Sequence, residues 1–370
     1  MEGFIMKKLK VGIIGCGFIS SIYMQNCSKF ANLELIACAD LDVERAQSQA
    51  QKYHIPKACT VDELLCDPDI QLVINLTIPK AHAAVCIQAL EAGKHVYTEK
   101  PLAVTREEGK QIIAAAKKHN LLVGSAPDTF LGAGIQTAIQ LIEKGEIGAP
   151  IGASAFMINR GHEHWHPDPA FYYAEGGGPM FDMGPYYLTA LVSLLGPIKR
   201  LAGATRISYP ERIVLSEPKA GTKIDVSTPT HISGTIDFAS GAIATITTSF
   251  DAFGGTSLPP IEIYGSKGTL LVPDPNTFGG PVRIRKMNEK EFVDVPLAFS
   301  HSENSRGLGV SDMAQSILTG EKHRANGELA YHVLEAMHGF HDSSTNGAYY
   351  QMESTCERPK PLNIEQQANS

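Results

Sequence analysis

The segment that follows the first apolar run constrains the fold more than any other feature of this 370-residue sequence. Residues Val11 to Ile14 form a short apolar run that predicts a strand, and it continues directly into Gly15-Cys16-Gly17-Phe18-Ile19-Ser20. A second predicted strand, from Leu33 to Ala39, ends at Asp40. A strand, a glycine turn, a helix, a strand and an acidic residue, in this order, are typical of a dinucleotide-binding βαβ unit. We therefore predict a nucleotide-binding domain with a parallel sheet.

Each residue of the glycine loop has a predicted task. Gly15 permits the tight turn, and Gly17 lets a pyrophosphate approach the backbone at a helix N-terminus. Phe18 and Ile19 complete the predicted cofactor-binding loop. Ser20 stands where a third glycine is common, and it is small enough for close packing of the helix on the strand.

Asp40 is predicted to accept hydrogen bonds from the ribose hydroxyls of the cofactor. The next residues, Leu41 and Asp42, offer no arginine or lysine for a 2′-phosphate, so we predict NAD and not NADP. Asp40 could also cap the helix expected from Val43, and this role does not exclude the first.

The alternation of strands and helices continues and leads to Lys100. A predicted strand from Lys94 to Tyr97 is followed by Glu99, Lys100 and Pro101. Open parallel sheets bind ligands at the carboxyl ends of their strands. The proline restricts the residue before it, so Lys100 is held in place. The alternative interpretation of these residues is an ordinary surface turn.

The sequence pattern changes after Gly124, where predicted strands come to dominate. Several of these strands, between residues 151 and 287, alternate apolar and polar residues, as in an antiparallel sheet with one face away from the core. The fold class is α/β: a nucleotide-binding domain (1–127), a substrate-binding α+β domain (128–352) and a polar tail (353–370) expected to fray.

Three segments together resemble the Gfo/Idh/MocA oxidoreductases, the family of glucose–fructose oxidoreductase and inositol dehydrogenase. They are the glycine loop, a Thr-x-Pro-x-x-His segment (Thr77, Pro79, His82) and the Gly-Lys-His-Val-x-x-Glu-Lys-Pro segment that contains Glu99 and Lys100. The resemblance implies that these residues belong to the cofactor site. It also implies a Rossmann domain followed by an α+β domain on a large, open, mostly antiparallel sheet, through which homodimers or homotetramers often form.

The segment from Gly176 to Tyr186 carries the predicted catalytic residues. Asp182 and Tyr186 are four residues apart, so a helix would place them on one face. The family has an Asp-x-x-x-His pattern here, which implies that Asp182 acts with Lys100 on the substrate. Tyr186 replaces the family histidine, and it could donate or accept a proton if a neighbouring ammonium lowered its pKa. Alternatively, it only packs.

Three alternating histidines, at 162, 164 and 166, surround the only tryptophan of the chain, Trp165. Imidazoles are common zinc ligands, but Pro167 and Pro169 predict a loop that would not align the three rings, so we predict no metal. We predict instead a substrate loop in which His164 offers hydrogen bonds and Trp165 an apolar face. Trp165 could equally anchor the loop in a core.

Asp128 departs from the family, in which an arginine is common shortly after this predicted strand. Its carboxylate could bind sugar hydroxyls, or it could cap the helix that follows.

Composition excludes several classes of partner. The formal net charge of −7 does not suggest a surface for nucleic acid or anionic lipid, and no stretch approaches the ~20 apolar residues of a membrane span. Seven cysteines without a Cys-x-x-Cys pair indicate reduced thiols in a cytoplasmic protein.

Together these features predict an NAD-dependent dehydrogenase for a secondary alcohol of a sugar, polyol or glycoside. Two alternatives stay open at this point: redox-neutral, NAD-dependent hydrolysis of glycosides, and a non-catalytic, nucleotide-dependent regulator. The presence of Lys100 and Asp182 argues against the regulator.

Overall fold

The computed structural model describes residues 8–362. Within this range the helices are α1 (Ser20–Cys27), α2 (Val43–Tyr53), α3 (Val61–Cys66), α4 (Pro79–Glu91), α5 (Arg106–His119), α6 (Ala133–Glu143), α7 (Gly178–Leu195), α8 (Leu308–Thr319) and α9 (Gly327–Asn346). The strands are β1 (Leu9–Ile14), β2 (Leu33–Ala39), β3 (Lys57–Cys59), β4 (Leu72–Asn75), β5 (His95–Thr98), β6 (Val123–Ser125), β7 (Pro150–Ile158), β8 (Ile198–Arg206), β9 (Glu211–Ile213), β10 (Lys223–Asp225), β11 (His231–Phe238), β12 (Ile243–Ser249), β13 (Ile261–Gly265), β14 (Gly268–Val272), β15 (Val282–Lys286), β16 (Val293–Val295) and β17 (Tyr350–Gln351).

The chain divides into two units, and their segments interleave. Unit 1 contains residues 1–132, 299–334 and 359–370, and unit 2 contains residues 133–298 and 335–358. The predicted boundaries at 127/128 and 352/353 stay a prediction. Residues 299–334 belong to unit 1 because α8 packs beside β6 and the backbone of Ser125 bonds to that of Ala325.

Unit 1 is built on a six-stranded parallel sheet in the order β3-β2-β1-β4-β5-β6. Strand β4 is buried along its whole length, because helices cover both faces of such a sheet. The capping box of Thr105 and Glu108 begins α5. This sheet confirms the predicted α/β class for the first part of the chain.

Unit 2 is built on a nine-stranded sheet in the order β16-β15-β14-β13-β7-β12-β11-β8-β17. Only β7 and β12 pair in parallel, so the prediction of a mostly antiparallel sheet is confirmed. Helix α7 packs on β7, β11 and β12. Gly234 lies under Phe340 of α9, and a β-carbon there would come within 2.7 Å of that ring. The glycine therefore sets how closely helix and sheet approach.

Two features of the fold differ from the sequence expectations. Five of the six strands of two or three residues (β3, β9, β10, β16 and β17, but not β6) were not predicted, because so few residues seldom show a periodicity. The tail does not fray between residues 353 and 361. The buried carboxylate of Glu335 accepts the N–H groups of Glu353 and Ser354 at 2.6 and 2.9 Å, and Arg324 donates to the carbonyls of residues 360 and 361. Residues 363–370 lie outside the described range.

No helix among residues 8–362 is long and apolar enough to cross a membrane.

Candidate active site

The glycine loop of unit 1 follows β1, and it forms a hydrogen bond with Asp40, which follows β2. The N–H of Cys16 donates to Oδ2 of Asp40 at 2.7 Å, and the N–H of Asp42 donates to Oδ1 at 2.9 Å. Gly15 has a φ of +99°, and a β-carbon there would lie 2.7 Å from the backbone of Leu76. Only glycine fits this turn. The helix cap that we had considered for Asp40 belongs to Asp42, whose side chain accepts the N–H of Arg45.

The carboxyl ends of β1, β2, β4 and β5 form one edge of the sheet, which we call the nucleotide edge, and this edge leaves space for a ligand beside the glycine loop. A β-carbon on Gly17 would meet no atom within 4 Å, so open space lies before α1. Ser20 is fully buried and donates to the carbonyl of Gly17 at 2.6 Å, while Ile19 occupies the N-cap position of α1. These residues fit a pyrophosphate at the helix N-terminus.

Exposed apolar side chains lie along the nucleotide edge. Phe18 is 99% exposed, Leu41 97% and Ile78 68%, and they follow β1, β2 and β4 respectively. Large apolar side chains that face solvent at the ligand-binding end of a parallel sheet fit the flat rings of a dinucleotide. The residues present therefore fit NAD.

The structure corrects one part of the cofactor argument. Leu41 and Asp42 are not basic, but the guanidinium of Arg45, on the first turn of α2, lies 3.4 Å from Oδ1 of Asp40. A basic side chain is thus close to the ribose-binding acid. Arg45 lies three residues beyond Asp42, outside the segment on which the prediction of NAD rests.

Thr77, Pro79 and His82 form a second part of the nucleotide edge. The hydroxyl of Thr77 donates to Asn75 at 2.7 Å, and Pro79 is the first residue of α4. His82 is buried, with Nδ1 2.7 Å from the carbonyl oxygen of Pro101 and Nε2 3.0 Å from that of Thr77. Burial lowers the pKa of His82. The histidine therefore connects the loop after β4 to the loop after β5.

Glu99 fixes the backbone of Lys100. One oxygen of its buried carboxylate accepts the hydroxyl of Tyr23 at 2.8 Å, and the other accepts the N–H of Lys100 at 2.8 Å. The peptide bond between Lys100 and Pro101 is cis, and the Lys100 side chain is half-buried. The carboxylate of Glu99 thus holds the backbone of Lys100 at the end of β5. The predicted restriction of Lys100 by Pro101 stays a prediction.

Asp128 has a different task from those considered for it. It is buried, and its Oδ2 accepts the N–H groups of Gly307 and Gly309 at 2.9 and 3.0 Å. It therefore stabilises the N-terminus of α8 and not the helical turn that follows it in sequence. Burial raises the pKa of Asp128 to about 6. These contacts account for its burial, and its predicted contact with sugar hydroxyls stays a prediction.

Asp182 and Tyr186 occupy successive turns of α7 in unit 2. Tyr186 is 7% exposed, whereas Asp182 is partly exposed. Oδ2 of Asp182 lies 3.2 Å from Nε2 of His162. The segment from His162 to His166, which we call the histidine loop, thus contacts the predicted catalytic Asp182. The contact is made by His162, which was not among the predicted site residues.

The histidine loop is compact and not extended. The N–H groups of Trp165 and His166 both bond to the carbonyl of His162, which makes a helical turn and separates the three rings. His162 is buried, whereas His164 is exposed and Trp165 is 54% exposed, so the tryptophan is not a core anchor. Within residues 8–362 no group of three or more His, Cys, Asp or Glu side chains is arranged to hold a metal ion.

A buried arginine holds the loop in place. Arg212 donates to Glu163 at 2.8 Å, to the carbonyl of Phe250 at 2.9 Å and to Asp251. We call Arg212, Glu163 and Asp251 the arginine clamp. Tyr173 also donates to Glu163. Neither His162 nor Arg212 was predicted for the site, because their partners lie 20 to 49 residues away.

Comparisons with known proteins agree with this geometry. Residues 9–126 match the model of an oxidoreductase family with an NAD-binding Rossmann fold, and residues 135–271 match a GFO/IDH/MocA C-terminal domain. The chain is therefore an NAD-binding oxidoreductase. It belongs to the Gfo/Idh/MocA family.

Two named relatives and one solved structure illustrate the similarity. Trans-1,2-dihydrobenzene-1,2-diol dehydrogenase of Bos taurus is 27% identical over 313 residues, 84% of this chain and 87% of the relative. Myo-inositol 2-dehydrogenase of Thermotoga maritima is 25% identical over 264 residues, 71% of this chain and 75% of the relative. A levoglucosan dehydrogenase in complex with NADH and L-sorbose has the same fold, with a TM-score of 0.79 and 22% identity over 94% of this chain and 99% of that chain.

Proposed function

We propose that this protein oxidises a secondary alcohol of a sugar, polyol or glycoside, or catalyses the reverse reduction. The observation that carries the proposal is the contact of Asp182 with His162 beside the exposed Trp165, in a chain with an NAD-binding domain. Polar groups next to an exposed aromatic face suit a carbohydrate, whose hydroxyls form hydrogen bonds and whose C–H groups pack on the ring. The named relatives also act on polyol-type substrates.

The predicted catalytic and substrate-binding residues on α7, in the loop of residues 162–166 and after β5 have the following roles in this proposal. Bound NAD supplies the hydride acceptor or donor. Lys100 orients the substrate oxygen and passes on its proton. Asp182 accepts a hydrogen bond from a substrate hydroxyl, assisted by Tyr186. His164 and Trp165 contact the sugar. At the nucleotide edge, Glu99 and His82 keep the strand-end loops in position for the cofactor.

The proposal extends to assembly and location. Ile151 and Ile243 lie on the neighbouring strands β7 and β12 and are 61% and 58% exposed, which suits a homodimer or homotetramer formed through the sheet of unit 2. All seven cysteines are free thiols, which suits the cytoplasm. Light scattering tests the first of these statements, and cell fractionation tests the second.

The decisive experiment is a panel of sugars, polyols and glycosides incubated with the protein and NAD. Formation of NADH with a member of the panel supports the proposal. Consumption of a glycoside without net NADH would support redox-neutral hydrolysis instead. Absence of any turnover, with NAD bound, would favour the regulator.

A further inference from the structure

We propose that His162 is a positioning residue whose neutral imidazole donates a hydrogen bond from Nε2 to Asp182. The inference rests on the proposed function for the part that Asp182 plays in chemistry, but the hydrogen bond itself can be tested without a substrate. It adds to the site a residue that does not itself need to contact the substrate.

The contact with Trp165 determines the tautomer of His162. The indole Nε1 of Trp165 lies 3.2 Å from Nδ1 of His162. An indole N–H can only donate, so Nδ1 must accept and carries no proton. A neutral imidazole then has its single proton on Nε2, and this atom lies 3.2 Å from Oδ2 of Asp182. Trp165 therefore sets which nitrogen faces the aspartate as a donor.

The same contact with Trp165 also determines the charge of the His162 ring. A second proton would have to occupy Nδ1, where it would point at the N–H of Trp165. The imidazolium is therefore incompatible with this arrangement, and His162 faces Asp182 as a neutral donor. A proton relay through His162 would require Trp165 to move away.

Neighbouring aromatic rings prevent the His162 ring from turning. The His162 ring lies 3.9 Å from the Tyr172 ring and 4.6 Å from the Phe250 ring, between centroids, and only 9% of the residue is exposed. Its backbone N–H donates to the hydroxyl of Tyr173 at 3.2 Å. The adjacent Glu163 belongs to the arginine clamp and is held by its ion pair with Arg212. The loop, the ring and the proton are thus all fixed relative to Asp182.

The consequence is a carboxylate held in one orientation. An N–H donor fixes the rotamer of the Asp182 carboxylate, so the carboxylate is ready to accept a substrate hydroxyl. The family pattern places a histidine four residues after the aspartate, where this chain has Tyr186. Here an imidazole reaches the same aspartate from a separate loop.

Two substitutions of His162 separate positioning from proton transfer. His162→Gln retains a side-chain N–H donor near the place of Nε2 but cannot exchange a proton. His162→Phe retains the ring packing and removes the donor. His231→Gln is the matched control, because His231 lies in the same unit and contacts Ser249 at 2.9 Å. Circular dichroism and NAD titration verify that each variant is folded.

On an identified substrate, we expect kcat of His162→Phe to fall by about 10²-fold, as for loss of a group that orients a catalytic residue. His162→Gln should stay within about fivefold of the parent protein, and His231→Gln should be unchanged. Equal losses in both His162 variants would show that the histidine transfers protons, and a normal kcat in His162→Phe would show that it only packs. Either result overturns the proposal.

A spectroscopic readout tests the hydrogen bond even if no sugar or polyol is oxidised. In protein labelled with 15N-histidine, the signals missing from the His162→Gln spectrum belong to His162. We expect a protonated Nε2 and an unprotonated Nδ1, and in Trp165→Phe this preference should weaken. A protonated Nδ1 in the parent protein would overturn the proposal, whereas failure of the substrate panel alone would count only against the proposed function.

Discussion

The nucleotide edge of unit 1 and the histidine loop of unit 2 are built in different ways. At the nucleotide edge, strand order and backbone geometry place the important groups: Gly15 turns the chain, Asp40 ends β2, and Lys100 follows β5. At the histidine loop, side chains from distant segments hold one another, as Arg212 does for Glu163 and Asp251. The first region depends on where strands end, and the second on buried polar contacts.

This difference predicts that the two regions fail differently when single residues change. Substitutions at the nucleotide edge should affect NAD binding or turnover while the fold remains. Substitutions in the arginine clamp should destabilise unit 2 before they affect chemistry. Four predictions test this contrast, from the largest expected effect to the smallest.

Arg212→Met should reduce the free energy of unfolding by about 3–5 kcal/mol, because it leaves the buried carboxylates of Glu163 and Asp251 without their cation. Arg212→Lys should not restore stability, since one ammonium cannot replace the planar fork of donors. Urea denaturation measures both. Lys223→Met is the control, because its ion pair with Glu211 on the β9–β10 hairpin is exposed. A change in Arg212→Met as small as that of the control would contradict the role of the clamp.

Lys100→Met should lower turnover by about 10²-fold or more, while the fold and the affinity for NAD remain. The backbone of Lys100 is fixed by Glu99, and this contact does not need the lysine side chain. Lys100→Arg should not restore turnover, since a guanidinium is bulkier and does not deprotonate near neutral pH. Steady-state kinetics and calorimetric NAD titration measure these effects, and the exposed Lys117→Met is the control. Near-normal turnover in Lys100→Met would reassign the chemistry to Tyr186 or the histidine loop.

The third prediction concerns Asp128, a buried carboxyl group of unit 1 whose ionisation should reduce the stability of the protein. Its pKa is raised to about 6, above the ~3.9 of an unfolded chain, so the folded protein binds the proton more tightly. Its contribution to stability is therefore complete below about pH 4 and is lost as the pH rises through 6. The free energy of unfolding should fall by on the order of 1.4 kcal/mol for each unit by which the pKa of Asp128 in the folded protein exceeds that in the unfolded chain.

Asp128→Asn should remove this pH dependence, because its amide oxygen can still accept the N–H groups of Gly307 and Gly309. Below about pH 4, Asp128→Ala should destabilise the protein by about 2 kcal/mol, since both buried N–H groups lose their acceptor. This difference from the parent protein should shrink as the pH rises through 6, because alanine does not titrate. Thermal unfolding between pH 4 and 8 compares the three proteins. Parallel curves for the parent protein and Asp128→Asn would show that the carboxyl does not titrate in this range.

The same contrast explains how much the sequence could predict. Strand β2 begins and ends at the predicted residues, and the order of elements up to Lys100 follows from periodicity and from glycine and proline positions. His162, Arg212 and the partners of Asp128 could not be predicted, since contacts across 20 to 181 residues leave no local pattern. Arg45 is an intermediate case. It lies on the first turn of a helix whose start was predicted, and it follows Asp40 by only five residues.

Arg45 sharpens the last and smallest prediction, which concerns the choice of cofactor. Asp40 should repel a 2′-phosphate, so NADP should bind at least ~10-fold more weakly than NAD, a difference of about 1.4 kcal/mol. The double substitution Asp40→Ser with Leu41→Arg should narrow this difference. Because Arg45 lies 3.4 Å from Asp40, Asp40→Ser alone should already narrow it, by removing the repulsion and leaving the guanidinium for the phosphate. Adding Arg45→Ala should reverse that gain. Calorimetric titration of each variant with both cofactors measures these steps, and equal or tighter binding of NADP to the parent protein would refute the assignment of Asp40.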